Sequence, residues 1–110
     1  MFYNNNINNY HDLNARQSNT NIFYEHINGG GASFMIFTGD SIGYLGDITM
    51  SNDFISSVTV APHTLVILFE HRDFYGASYR LINNGDFPQL FNLPKQWNDI
   101  TSSIATSRLK

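Results

Sequence analysis

The chain has 110 residues, enough for one domain of ordinary size and too few for two. It contains no cysteine, which excludes disulfides, thiolate metal sites and cysteine nucleophiles, and leaves packing, hydrogen bonds or oxygen-ligated metal to hold it. Its formal charge of −3 offers no footprint for a phosphate backbone or an anionic membrane, so nucleic acid is not expected as a partner. With 42% hydrophobic and 15% aromatic residues a core can form. A chain this short buries only roughly 60–70% of its unfolded surface, so a ligand that selects the folded state would matter.

Residues 1–21 hold eight Asn among few apolar side chains and show neither helical nor alternating periodicity, which reads as a flexible N-terminal arm. The alternative is that Phe2, Tyr3, Ile7 and Tyr10 dock the arm onto the domain. The start, Met-Phe-Tyr-Asn, has no basic or apolar leader, and the longest apolar run is Leu65 to Phe69. No signal peptide and no membrane span are therefore expected, and a cytoplasmic location is favoured.

From residue 22 the chain has the period of strands. Ser33-Phe-Met-Ile-Phe37 alternates, with Phe34 and Ile36 facing inward. Ser56-Ser-Val-Thr-Val60 does the same through Val58 and Val60, and Pro62 then interrupts the chain. Leu65-Val-Ile-Leu-Phe69 is apolar throughout, too short for a helix, and suits a strand crossing the core. In Ser78-Tyr-Arg-Leu-Ile82, Arg80 marks the wet face and directs Tyr79 and Leu81 inward. Only Leu93 to Trp97, with Pro94 near its start, has room for a short helical turn before the last strand, Ser103-Ile-Ala-Thr-Ser107.

The strands also repeat. Tyr24-Glu-His-Ile-Asn-Gly-Gly-Gly-Ala-Ser-Phe34 lies over Phe69-Glu-His-Arg-Asp-Phe-Tyr-Gly-Ala-Ser-Tyr79 at an offset of 45. After one inserted residue, Gly39-Asp40 matches Gly85-Asp86, and Asn52-Asp-Phe-Ile-Ser-Ser57 matches Asn98-Asp-Ile-Thr-Ser-Ser103. Each unit, about 22–61 and 65–107, is too small to fold alone, so the two are expected to share one core in residues 22–110. The fold class is all-β, a two-motif sandwich.

The two hexapeptides carry the chemistry. Asn-Asp-x-x-Ser-Ser offers carboxylate, amide and hydroxyl oxygens beside a bend that can also turn backbone carbonyls toward one point. Such hard oxygen donors suit Ca²⁺, which takes about six to eight of them, better than zinc or copper. Asn-Asp also favours turns, and Ser-Ser can cap them, with no metal involved. Two copies at equivalent positions favour the metal reading, because a pair of turns has no need to keep Asp, and Ser three residues on, in both.

The combination of an aromatic, four residues, an aromatic, one residue and Gly, followed by N/D-N/D-x-x-S/T-S, with the whole repeated, resembles the βγ-crystallin family in its microbial, calcium-binding branch. Phe69-Glu-His-Arg-Asp-Phe74-Tyr-Gly76 meets the first signature in full, and both hexapeptides meet the second. The resemblance covers residues 22 to about 107. It implies a βγ-crystallin-like Greek-key β-sandwich of two four-stranded sheets, with two Ca²⁺ sites that each draw on both motifs. One site would take Ser56 Oγ, the Phe54 carbonyl, the Asp99 side chain and the Glu25 carbonyl. The other would take Ser102 Oγ, the Ile100 carbonyl, the Asp53 side chain and the Glu70 carbonyl, with water completing both. Asn52 and Asn98 would shape the loops, Ser57 and Ser103 would brace the folded hairpins, and Gly31 and Gly76 would supply conformations that a Cβ penalises. Gly29 departs from the pattern by replacing the second aromatic of the first motif, which is expected to make that hairpin the looser one.

Other candidates carry less. His26 and His71 occupy equivalent positions beside Glu25 and Glu70, but one imidazole per hairpin on a wet face is the pattern of surface residues. No nucleophile elbow, HExxH or phosphate-cradling loop occurs, and Gly29-Gly-Gly31 has no following helix to hold phosphate. Trp97 and Tyr75 could stack on a sugar, but Trp97 beside the second hexapeptide is expected to be buried. The expectation is a non-enzymatic calcium-binding domain stabilised by its metal, a monomer, with a dimer as the alternative. The alternative is an interaction module, a lectin, adhesin or protease inhibitor, that uses the same sandwich as scaffold toward a protein or glycan partner.

Overall fold

The alternation of apolar and polar residues is realised as eight strands. The computed structural model describes residues 19–47 and 54–109. They form β1 (Thr20–Tyr24), β2 (Ser33–Phe37), β3 (Ser41–Ile42), β4 (Ser57–Val60), β5 (Thr64–His71), β6 (Tyr75–Asn83), β7 (Gln89–Asn92) and β8 (Ser103–Arg108). One sheet has the order β2-β1-β4-β7 and the other β3-β8-β5-β6, and every pairing is antiparallel. This is a Greek-key β-sandwich. Strand β3 leaves its own motif to join β8, and β7 leaves the second motif to join β4. Each half thus completes the other's sheet, so neither repeat has a full four-stranded sheet of its own.

The inward residues of both sheets make one core of Phe23, Ile36, Leu45, Ile55, Val58, Val60, Val66, Leu68, Leu81, Leu93, Trp97 and Ile104. The orientations expected for Phe34, Ile36, Tyr79, Leu81, Val58 and Val60 hold, all being buried or packed against that core. The continuous apolar run of β5 still alternates: Val66 and Leu68 are buried, whereas Leu65 and Ile67 are half-buried on the outer face. Trp97 is buried against Tyr79, with ring centroids 5.7 Å apart, at the end of a 3₁₀ turn over Lys95–Trp97. Burial takes Trp97 away from a sugar-stacking role. Among the described residues no helix is long and apolar enough to cross a membrane.

The strand begins two residues before the boundary expected at residue 22. Thr20 and Asn21 belong to β1, and Asn21 is fully buried. Its amide bridges three neighbours. Nδ2 donates to the Ile36 carbonyl and to Thr38 Oγ1, both at 3.1 Å, and Oδ1 accepts from the Ala61 N–H at 2.8 Å. Asn83 does a similar task in the second sheet, donating to the Val60 and Phe87 carbonyls at 2.9 and 2.8 Å. A buried asparagine is stable when its donors and acceptor are used, as they are here. Residues 1–18, the greater part of the arm, lie outside the described residues.

Candidate metal centre

The folded hairpins come first, because they carry the carbonyls. Strands β1 and β2 are joined through a 3₁₀ turn at Ile27–Gly29, and β5 and β6 through its equivalent at Arg72–Phe74. In each turn the middle residue is left-handed, Asn28 at φ 59° and Asp73 at φ 58°, a conformation that Asn and Asp tolerate best after glycine. Gly31 and Gly76 follow at φ 76° and 84°. A Cβ would lie 2.6 Å from the His26 ring at Gly31, and 2.5 Å from the His71 ring at Gly76, so both conformation and space require glycine there.

A serine from the neighbouring strand pins each turn. Ser57 Oγ donates to the His26 carbonyl at 2.6 Å and accepts from the Gly29 N–H at 3.1 Å. Ser103 Oγ donates to the His71 carbonyl at 2.6 Å and accepts from the Phe74 N–H at 3.0 Å. The bracing expected of Ser57 and Ser103 is present in both halves. One residue earlier, the Ser56 N–H donates to the Tyr24 carbonyl at 2.9 Å and the Ser102 N–H to the Phe69 carbonyl at 2.8 Å. The carbonyls of Glu25 and Glu70 each lie between two carbonyls tied to the serine strand. The ladder between β5 and β6 also shifts register between Phe69 and His71, which takes Glu70 out of regular pairing.

The hexapeptides then bring side-chain oxygens to the same end of the sandwich. Ser56 Oγ lies 3.1 Å from Asp99 Oδ1, forty-three residues away, and donates a hydrogen bond to it. The Asp99 N–H donates to the Ile55 carbonyl at 3.0 Å, and Asp99 itself is left-handed at φ 61°. Phe54 and Ile100, the residues whose carbonyls complete the expected sets, are half-buried against the core. Ser102 is 6% exposed. Asp53 and Asn52 lie outside the described residues, so the structure brings together Ser56 and Asp99 of one expected set and leaves the Asp53 contact of the other undescribed. Asn98 is exposed and closes the turn after Trp97, in keeping with a loop-shaping role.

The donor set fits a hard cation. Oxygens 3.1 Å apart subtend about 75–85° at a cation bound at about 2.3–2.6 Å, an ordinary angle between neighbouring Ca²⁺ ligands. The glutamate side chains are used otherwise: Glu25 Oε1 accepts from the Ala32 N–H at 3.2 Å and lies 3.6 Å from His26 Nε2, and Glu70 Oε1 lies 3.6 Å from His71 Nε2. Both imidazoles are largely exposed. No group of three or more His, Asp or Glu side chains forms among the described residues. A metal centre here would rest on carbonyls and hydroxyls, with a single carboxylate.

Likeness to known proteins lies in the fold. No protein-family sequence model matches the chain, and no curated protein matches it. Solved structures do. A βγ-crystallin domain from Flavobacterium johnsoniae is 29% identical with a TM-score of 0.67, covering 80% of this chain and 93% of its own. A double mutant of a βγ-crystallin domain from Clostridium beijerinckii is 28% identical with a TM-score of 0.67, over 80% of this chain and 96% of its own. The chain has the βγ-crystallin domain fold. A βγ-crystallin from Ciona intestinalis is also similar, at 28% identity and a TM-score of 0.61 over 78% of this chain and 96% of its own. In this βγ-crystallin fold the departure at Gly29 has a conformational side that the sequence did not expose. Gly29 and its equivalent Phe74 both have positive φ, 73° and 65°. Glycine avoids a strain of roughly 1–2 kcal/mol that Phe74 must bear. Phe74 recovers part of that by packing edge-on against Phe69 at 5.6 Å, whereas Gly29 lies under the Tyr24 ring, 3.6 Å from where its Cβ would be.

Four further residues gather near the hairpins: Asn92, Gly43, Tyr44 and Arg72. No periodicity or repeat marks them, since they act across strands that exchange between motifs. Thr101 also went unnoticed. It stands at the position of the buried Ile55, is itself fully buried, and its hydroxyl has no hydrogen-bond partner among the described residues.

Proposed function

We propose that this domain is a non-enzymatic calcium binder that holds two Ca²⁺ ions between its paired motifs and is stabilised by them. The observation that carries the reading is the pairing of Ser56 Oγ with Asp99 Oδ1 at 3.1 Å, one oxygen from each motif, where the carbonyls flanking Glu25, those of Tyr24 and His26, are tied to Ser56 and Ser57. Ser56, Asp99 and the carbonyls of Phe54 and Glu25 would hold one ion. Ser102, Asp53 and the carbonyls of Ile100 and Glu70 would hold the other. A bound cation supplies electrostatic cross-linking and no redox or covalent chemistry.

The mechanism follows from where the ligands originate. Every set takes a hydroxyl from one motif and a carboxylate from the other, so the set exists only when the motifs are assembled. The unfolded chain cannot present these oxygens together, and binding therefore favours the folded state by RT ln(1 + [L]/Kd), about 2.7 kcal/mol per site at a hundredfold excess over Kd. Without metal, Ser56 Oγ–H satisfies the Asp99 carboxylate, which keeps the pair in place and spares a buried hydroxyl from going unpartnered.

Calorimetric titration tests the reading. The wild-type chain should take up two equivalents of calcium. Asp99→Ala and Asp53→Ala should each remove one, and the double variant both. Absence of binding heat at millimolar calcium in the wild type would overturn the proposal.

A further inference from the structure

We infer that each metal-bearing hairpin is positioned by a latch from the opposite motif, with Asn92 as the positioning residue of the first hairpin and the Tyr44–Arg72 pair that of the second. For metal binding the inference rests on the calcium reading, but the latches themselves do not. In the first hairpin the Asn28 N–H donates to Asn92 Oδ1 at 2.8 Å, and Asn92 Nδ2 donates back to Asn28 Oδ1 at 2.9 Å. Asn92 closes β7, the strand that the second motif places in the first motif's sheet. In the second hairpin the equivalent N–H, that of Asp73, donates to the Gly43 carbonyl at 2.7 Å. The Arg72 guanidinium stacks 4.2 Å above the Tyr44 ring. Gly43 and Tyr44 directly follow β3, the strand that the first motif places in the second motif's sheet.

The two latches occupy one place in the repeat and use different chemistry. Asn28 and Asp73 are the left-handed residues at the tips of equivalent turns, and each offers its N–H to an exchanged segment. The first latch accepts with a side chain. The second accepts with a backbone carbonyl and adds a cation–π contact, an arrangement stronger in Arg than in Lys because the planar guanidinium stacks on the ring. The first latch is thus wholly removable by substitution, whereas the second keeps its backbone bond. Each turn follows the residue whose carbonyl is proposed as ligand, Glu25 or Glu70, so fixing the turn fixes that carbonyl. The serine braces and the latches grip the turn from separate strands, which is what holds a three-residue bend without a helix or a disulfide.

Amide hydrogen exchange on the calcium-free protein, resolved by residue, tests the latches. Asn92→Ala should speed exchange at Glu25, His26 and Gly30 by roughly three- to tenfold, the loss of one or two exposed hydrogen bonds, and leave Asp73 and Phe74 unchanged. Arg72→Ala should speed exchange at Asp73 and Phe74 by about two- to fivefold and leave the first hairpin unchanged. Gln89→Ala, exposed on the same β7 strand, should change neither. In calorimetric titration the same variants should weaken one calcium step each, Asn92→Ala the step lost in Asp99→Ala and Arg72→Ala the step lost in Asp53→Ala. Equal acceleration in both hairpins, or none in either, would overturn the latch assignment. A wild type that binds no calcium but shows the hairpin-specific exchange pattern would sink the calcium reading and leave the latches standing.

Discussion

Replacing Ser57 by Ala removes two hydrogen bonds at one stroke, the 2.6 Å bond to the His26 carbonyl and the 3.1 Å bond from the Gly29 N–H. Ser57 is fully buried, so no water takes the place of its hydroxyl, although His26 and Gly29 retain some access to solvent on their outer side. At about 1 kcal/mol net per bond, partly relieved by that access, the loss is about 1.5–2 kcal/mol. For a domain of this size each kcal/mol corresponds to roughly 4–8 °C, so the melting temperature should fall by about 6–16 °C. Ser103→Ala removes the equivalent bonds at 2.6 and 3.0 Å and should fall within the same range. It also frees Phe74 to leave its φ of 65°, which recovers strain and should make its effect the smaller of the two. Thermal and urea melts of both variants in chelator check this. A change below 0.5 kcal/mol in either would refute the claim that these serines hold the bends.

Three other outcomes follow from the same geometry. Thr101→Val keeps the volume of a fully buried side chain and deletes a hydroxyl without a partner among the described residues, so it should raise stability by about 1–2 kcal/mol in urea melts. Asn21→Ala strands the buried Ala61 N–H and deletes the side-chain bonds to the Ile36 carbonyl and Thr38 Oγ1, and should cost about 2–4 kcal/mol, measured the same way. Gly31→Ala places a methyl within 2.6 Å of the His26 ring at a φ of 76° and should cost about 2 kcal/mol or more, with faster amide exchange confined to the first hairpin.

Period and repeat carried most of the fold. The alternation in residues 33–37, 56–60 and 78–82 gave three strands with their inner faces, and the internal repeat made one shared core. Strands β3 and β7 were not legible: Ser41–Ile42 is two residues long, and Gln89–Asn92 has no buried side chain to show a period. The start of β1 was not legible either, because Asn21 looks polar in composition yet is buried as a hydrogen-bond bridge. The contact of Ser56 with Asp99 and the bracing by Ser57 and Ser103 were legible only through the family resemblance that the repeated hexapeptides carry. Asn92, Tyr44 and Arg72 were not, because they act between exchanged strands with no counterpart at the matching repeat position. Gly29 was read as a loss of ring packing and a larger loss of backbone entropy on folding; only the backbone shows that its position has positive φ.

Calcium-dependent melting tests the central claim most directly, because it asks whether the oxygens gathered from both motifs bind metal only when the motifs are joined. The account predicts that wild-type protein melts at its lowest temperature in chelator and climbs by roughly 10 °C or more once calcium reaches a hundredfold excess over Kd. The rise should be roughly halved in Asp99→Ala. A wild-type melt that stays at one temperature from chelator to millimolar calcium would contradict the account.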